Sequence, residues 1–155
     1  MGVFSIENPV FVAYAVAASL MILKLMGQGW VTVYRMMKSE AGLLNPEDLL
    51  PGPANRHPDP SQLQLSEYVE RSRRVHRNDI ENILAFLAAG WVFVAVRPPL
   101  MLTVVLMSIF VVSRLAHTLA YMTRQRHEVR ATLFSLGSIV VVVMAVYVLV
   151  AVLLR

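Results

Sequence analysis

The residues best suited to chemistry are polar and ionisable side chains that interrupt apolar stretches of the sequence. They are Arg74, Asn78, Glu81, Arg114, His117, Tyr121 and Arg130. Arg74, Asn78 and Glu81 follow one another at steps of four and three, which places them on one face of a helix. Arginine binds carboxylates through two parallel hydrogen bonds, and a glutamate attracts an ammonium group. The set therefore suits a small zwitterion with several carboxylates.

The composition indicates that membrane helices position these residues. Of the 155 residues, 57% are hydrophobic and 15% are charged, and the mean hydropathy is +0.59. A soluble domain carries about 25% charged residues. The chain is too apolar for a nucleic-acid-binding protein, despite its net charge of +4. Ionisable groups are costly inside a bilayer and usually mark a functional site.

Four apolar stretches are each long enough to cross roughly 30 Å of hydrocarbon as a helix. The predicted helices cover residues 9–34, 65–96, 100–123 and 128–154, with a polar loop at 35–64. The valine-rich last stretch would favour a strand in water, but a single span in lipid must satisfy its own backbone and is therefore helical. We expect one all-α domain over residues 1–155, an integral membrane bundle of four transmembrane helices.

Lysine and arginine are concentrated in the first loop and in the connection near Arg126, so both are expected to be cytoplasmic, with the termini on the other side. Lys24 within the first apolar stretch argues against a secretory signal peptide. The absence of cysteine excludes disulfides, zinc–thiolate sites and a cysteine nucleophile. A bacterial inner membrane is favoured over the endoplasmic reticulum.

Structural explanations stay open for several of these side chains. Arginines near helix ends often only extend to the lipid headgroups; these are Arg71, Arg73, Arg124 and Arg126. Tyr121 also suits an interfacial aromatic, and His117 a cap on a neighbouring helix. No metal site is expected, because no two histidines are four residues apart with a helper carboxylate.

Three motifs resemble the MAPEG superfamily, small membrane proteins of eicosanoid and glutathione metabolism. They are NPED, ERSRRVHRNDIENI, and RLAHTLAY followed by Arg130. The resemblance covers nearly the whole chain and is greatest to the type 1 microsomal glutathione transferase branch, with prostaglandin E synthase near it. It implies a homotrimer of four-helix protomers that binds glutathione between subunits, near the cytoplasmic ends of the helices.

The resemblance also implies roles for individual residues. The residues that it implies for glutathione binding are Arg35, Arg73, Arg74, Arg77, Asn78, Glu81, His117, Tyr121 and Arg130. The residues that it implies for catalysis are Arg130, Tyr121 and Asp48 of NPED. Arg130 resembles the arginine that activates the thiol.

The implied function is a membrane-bound glutathione transferase of detoxification, with glutathione as co-substrate and no metal. In the transferase reaction the glutathione thiolate attacks a lipophilic electrophile from the bilayer. In a peroxidase reaction of the same enzyme, glutathione reduces a lipid hydroperoxide. Two alternatives stay open, a prostaglandin-E-synthase-type isomerase and a non-catalytic lipid-binding scaffold. The isomerase pattern has a serine directly after the activating arginine and a tyrosine four residues after it, where this chain has Ala131 and Phe134. A transporter would place an acidic residue deep in a helix, whereas these charges cluster at the cytoplasmic edge.

Overall fold

The computed structural model describes residues 2–154, and its long elements are all helices. They are α1 Pro9–Ser39, α2 Glu67–Ala95, α3 Leu100–Met122 and α4 His127–Leu153. By length and composition, each of the four is able to cross a membrane. The prediction of an all-α membrane protein with four transmembrane helices is confirmed.

Helix α1 is longer than the sequence prediction. It ends at Ser39 instead of near residue 34, so the helix includes Arg35. No glycine or proline interrupts the chain between residues 30 and 39. The helix stops where Glu40 and Gly42 adopt positive φ angles of 46° and 78°, the left-handed conformation that commonly ends helices.

The chain forms two compact units, one made of residues 2–25 and 78–154 and the other of Met26–Arg77. In the first unit, parts of all four helices surround an apolar core. Phe86 of α2 stacks on Phe110 of α3 with ring centroids 3.9 Å apart. Met21 of α1 and Met144 of α4 are fully buried beside them. The outer faces carry many exposed valines, leucines and isoleucines, as expected of helices that contact lipid.

A glycine allows α1 and α2 to approach closely in this unit. The Tyr14 hydroxyl donates a hydrogen bond of 2.8 Å to the carbonyl oxygen of Leu87. The Tyr14 ring then lies against Gly90, where a Cβ atom would be 2.5 Å from ring atom Cε2. Any larger residue at position 90 must displace the buried tyrosine.

Gly90→Ala is therefore expected to destabilise the protein by about 1–3 kcal/mol, the usual cost of overpacking. Thermal unfolding in detergent measures the change. Gly27→Ala is the matched control, because no heavy atom lies within 4 Å of a Cβ there. It should stabilise α1 by roughly 0.5–1 kcal/mol, since alanine favours a helix over glycine. Equal melting temperatures for the two variants would contradict the packing argument.

In the second unit, the loop between α1 and α2 is held by its own hydrogen bonds. The backbone N–H groups of Gly42 and Leu43 donate to the carbonyl oxygens of Gln64 and Gln62, at 3.0 and 2.9 Å. The loop contains two short 3₁₀ helices, Pro46–Leu49 and Pro60–Leu63. Each has proline at its first position, where a missing N–H costs nothing. The stretch predicted as a loop is thus ordered.

Candidate functional site

In the first unit, predicted site residues from three helices meet at Tyr121 of α3. The side-chain amide of Asn78, on α2, donates a hydrogen bond of 3.1 Å to the Tyr121 hydroxyl. The Arg130 guanidinium, on α4, lies over the Tyr121 ring with Cζ 4.6 Å from its centroid. His117, one turn earlier on α3, packs edge-on against the same ring at 5.0 Å. The structure brings these four residues together.

Arg130 has a hydrogen-bonding group that the chain itself does not use. Its Nε atom is buried and has no hydrogen-bond partner among residues 2–154. A guanidinium stays protonated and only donates, and a buried donor without an acceptor is costly. An anion beside the Arg130–Tyr121 pair would satisfy this donor.

Glu81 lies on α2 one turn after Asn78, so the two share a side of that helix. Its side chain is exposed, and within the described part of the chain no salt bridge reaches it. The carboxylate is therefore available to a cation from outside the chain.

The same unit holds a buried ionic cluster that the sequence analysis missed. Asp79 of α2 is fully buried, and its carboxylate accepts from Lys24 of α1 and from Arg114 of α3. The Arg114 contact is 3.0 Å, and the same guanidinium nitrogen lies 3.0 Å from Nδ1 of His117. A signal was present, because Lys24 and Arg114 interrupt apolar stretches and buried cations require an anionic partner.

In the second unit, Arg35 and Arg73 are held by neighbouring groups. Arg35 is 8% exposed, donates to the carbonyl oxygen of Tyr68 at 3.1 Å, and lies over the Tyr68 ring at 4.6 Å. Arg73 pairs with Glu70 and donates to the carbonyl oxygen of Gly42. Both arginines therefore connect α2 to other parts of this unit.

Arg74 is more accessible than Arg35. Its side chain is 42% exposed and pairs with Glu67 at 2.6 Å, and Arg71 pairs with the same carboxylate at 2.9 Å. Exposed pairs of this kind contribute little to stability, so Arg74 can exchange Glu67 for another carboxylate at little cost. Arg77 is exposed.

Asp48 lies in the first 3₁₀ helix of the second unit. Its carboxylate accepts a hydrogen bond of 3.3 Å from the backbone N–H of Asn45. It lines a cleft of about 540 Å³ with Met36 and Met37 of α1 and with His57 of the loop. The cleft is mixed in character, because α1 contributes apolar side chains and the loop contributes both apolar ones, such as Leu43 and Leu50, and polar ones.

The predicted site residues offer charged and hydrogen-bonding groups in each of the two units. Among residues 2–154, no group of three or more histidine, aspartate or glutamate side chains has the arrangement of a metal site. The first unit offers the Arg130 guanidinium, the Asn78–Tyr121 pair and the Glu81 carboxylate. The second unit offers an exposed guanidinium at Arg74.

Comparisons with known proteins agree with the membrane fold. A family model described as "MAPEG family" matches residues 7–150. The chain is 33% identical to microsomal glutathione S-transferase 1 of Sus scrofa over 131 residues, which cover 84% of this chain and 83% of the relative. It is 34% identical to the same protein of Bos taurus, with the same coverage. It is 30% identical to prostaglandin E synthase of Homo sapiens over 143 residues, 92% of this chain and 90% of the relative.

Proposed function

Because the chain belongs to the MAPEG family and is a multi-pass membrane protein, we propose that it is a membrane-bound glutathione transferase. It conjugates glutathione to lipophilic electrophiles, and the same thiolate reduces lipid hydroperoxides. The observation that carries the proposal is the Arg130 guanidinium over Tyr121, with a buried Nε–H that no acceptor among residues 2–154 satisfies.

The chemistry requires that glutathione be held as its thiolate, because the thiol is a poor nucleophile. Arg130 does not act as a base, since its guanidinium stays protonated. Instead its charge and its Nε–H stabilise the sulfur anion. Each unit by which the pKa of the thiol is lowered corresponds to about 1.4 kcal/mol of this stabilisation. Tyr121, fixed by Asn78, positions the peptide beside that sulfur.

The rest of the tripeptide is matched to the remaining predicted residues. We assign its carboxylates to arginines, first to Arg74, where a ligand carboxylate would replace Glu67. Its ammonium group goes to Glu81. Further contacts are assigned to Arg35, Arg73, Arg77 and His117. We also propose a catalytic role for Asp48. Asp48→Asn should then lower turnover and leave the affinity for glutathione unchanged.

The test of this function is a conjugation assay with glutathione and chlorodinitrobenzene in detergent, run beside a hydroperoxide-reduction assay. Conjugation activity is expected. If glutathione binds but neither reaction occurs, the chain is a binding protein of the same fold. If glutathione does not bind, the proposed function is wrong.

A second candidate is a glutathione-dependent prostaglandin isomerase, favoured by the similarity to human prostaglandin E synthase over 92% of this chain. Ala131 and Phe134 count against it, because they stand where the isomerase pattern has a serine and a tyrosine. Turnover of a prostaglandin endoperoxide faster than conjugation would make the isomerase the better assignment.

We expect the protein to form a homotrimer with glutathione sites shared between subunits. One thin protomer of four helices cannot enclose so many arginines, and buried charges without partners are unstable. Light scattering that separates the mass of the protein from that of the detergent measures the oligomeric state. A monomer that still binds glutathione stoichiometrically would exclude shared sites.

Glu81→Gln is expected to weaken glutathione binding about tenfold or more, since losing a charged hydrogen bond costs roughly 1.5–3 kcal/mol. The substitution keeps the shape of the side chain and removes the charge that faces the ligand's ammonium group. Calorimetry measures the affinity. Glu7→Gln removes an exposed carboxylate near the N terminus and should leave the affinity unchanged. Equal affinities for the two variants would remove Glu81 from the binding site.

The arginine and lysine distribution supports an orientation in which the loop at residues 40–66 and the connection near Arg126 are cytoplasmic. We infer a bacterial inner membrane as the location. Labelling of single cysteines introduced at Arg56 and at Arg97 by a membrane-impermeant maleimide tests the orientation. Only the residue at position 97 should react in intact cells.

A further inference from the structure

One carboxylate joins three helices in the interior of the first unit. Asp79 of α2 and Arg114 of α3 are both fully buried, and Lys24 of α1 pairs with the same carboxylate. Two cations thus share one anion. Charges in this position are expensive within a membrane protein and are usually retained for function.

One nitrogen of Arg114 serves two acceptors. Its Nη2 atom lies 3.0 Å from Oδ1 of Asp79 and 3.0 Å from Nδ1 of His117. A guanidinium nitrogen only donates, so Nδ1 of His117 must accept, and the ring proton is on Nε2. A doubly protonated imidazole has no acceptor at Nδ1 and would place a second positive charge beside Arg114. The contact therefore selects one neutral tautomer.

The packing around Arg114 restricts other arrangements. Its guanidinium lies 5.8 Å from the centroid of the Phe134 ring, and the His117 ring lies between Tyr121 at 5.0 Å and Phe134 at 6.2 Å. On α4, a Cβ at Gly137 would be 3.3 Å from Cδ of Arg114. Arg114 therefore shares the space beside this glycine with Ser113 and Asn82.

We propose that Arg114, held by Asp79, is a positioning residue that fixes His117 as the Nε2–H tautomer and so presents a hydrogen-bond donor to glutathione. The inference rests on the proposed function for the identity of the ligand. In the other tautomer the ring would turn a lone pair toward an acceptor atom of the tripeptide, and the contact would be lost. Neither Arg114 nor Asp79 touches the ligand in this scheme.

Two matched variants separate positioning from charge. Arg114→Met and Lys24→Met each remove one cation of the cluster and leave Asp79 paired with the other. Only Arg114→Met removes the donor to His117. It should convert the imidazole to a mixture of tautomers and lower kcat/KM for glutathione by up to about 100-fold, the cost of a small misplacement at a reacting centre. Lys24→Met should keep the Nε2–H tautomer, and any loss of activity common to both variants reports the removed charge.

Nitrogen-15 NMR of histidine-labelled protein in detergent reads the tautomer without any ligand. The His117 signals are those that disappear in His117→Gln, which separates them from the other three histidines. A wild-type ring protonated on Nδ1, or on both nitrogens at neutral pH, would overturn the proposal. So would spectra and kinetics of Arg114→Met that match those of Lys24→Met.

Two further outcomes are also decisive. If Arg114→Met does not fold, the wild-type and Lys24→Met spectra carry the test, and both must show the Nε2–H form. If the wild-type protein does not bind glutathione by calorimetry, the proposed function fails, whereas the ligand-free spectra still report whether Arg114 selects the tautomer. The two failures are therefore distinguishable.

Discussion

Replacing Arg130 with alanine is expected to lower conjugation turnover at neutral pH by about 100-fold or more, the usual loss when one preorganised charge-stabilising donor is removed. The guanidinium over Tyr121 is assigned to the thiolate, so without it the pKa of bound glutathione should rise. The ultraviolet absorbance of the thiolate, titrated with pH, measures this directly. Affinity for glutathione should fall less than turnover, because the carboxylate and ammonium contacts are assigned to α2.

Arg126→Ala is the control for this prediction. Arg126 lies directly before α4, four residues ahead of Arg130, and carries the same charge, but its side chain is exposed. Its removal should leave the thiolate titration and the turnover close to wild type. Arg130→Lys keeps the charge and loses the planar stacking on Tyr121, so an intermediate effect is expected. Superimposable titrations for wild type and Arg130→Ala would exclude Arg130 and leave Tyr121 as the best candidate for activation.

Replacing Asp79 with asparagine should produce the largest loss of stability, about 3–5 kcal/mol, because it leaves buried charges without a counterion. Asp79 is the carboxylate that accepts from both Lys24 and Arg114 in the first unit. Without it, two cations face each other in a region of low dielectric constant. Thermal unfolding in detergent, followed by circular dichroism, measures the change.

The predicted cause of this loss of stability is the unbalanced buried charge, and not the loss of one contact. Lys24→Met leaves the Asp79–Arg114 pair neutral and should cost much less than Asp79→Asn. The triple variant Lys24→Met, Asp79→Leu, Arg114→Met contains no buried charge and should recover most of the lost stability, as apolar replacements of buried ion pairs often do. Asp79→Asn with the same melting temperature as Lys24→Met would show that the cluster is not electrostatically coupled.

The sequence by itself determined the class of fold and most of the elements. A span in lipid must satisfy its backbone internally, so apolar length alone predicts a helix even in the valine-rich α4. The polar residues that interrupt these spans were visible as well, and the structure brings Asn78, His117, Tyr121 and Arg130 together from three helices. Their roles in glutathione chemistry come from the family motifs and stay predictions.

The tertiary structure alone decided which charges are paired. Helical spacing relates residues within one helix, such as Arg114 and His117, but it does not relate Arg114 to Asp79, which is 35 positions away on another helix. Asp79 also follows Asn78 directly, and successive helical residues point about 100° apart, so the helix face shared by Arg74, Asn78 and Glu81 does not include it. Which arginine meets which carboxylate depends on how α1, α2 and α3 pack in the first unit, and helical periodicity does not encode that packing.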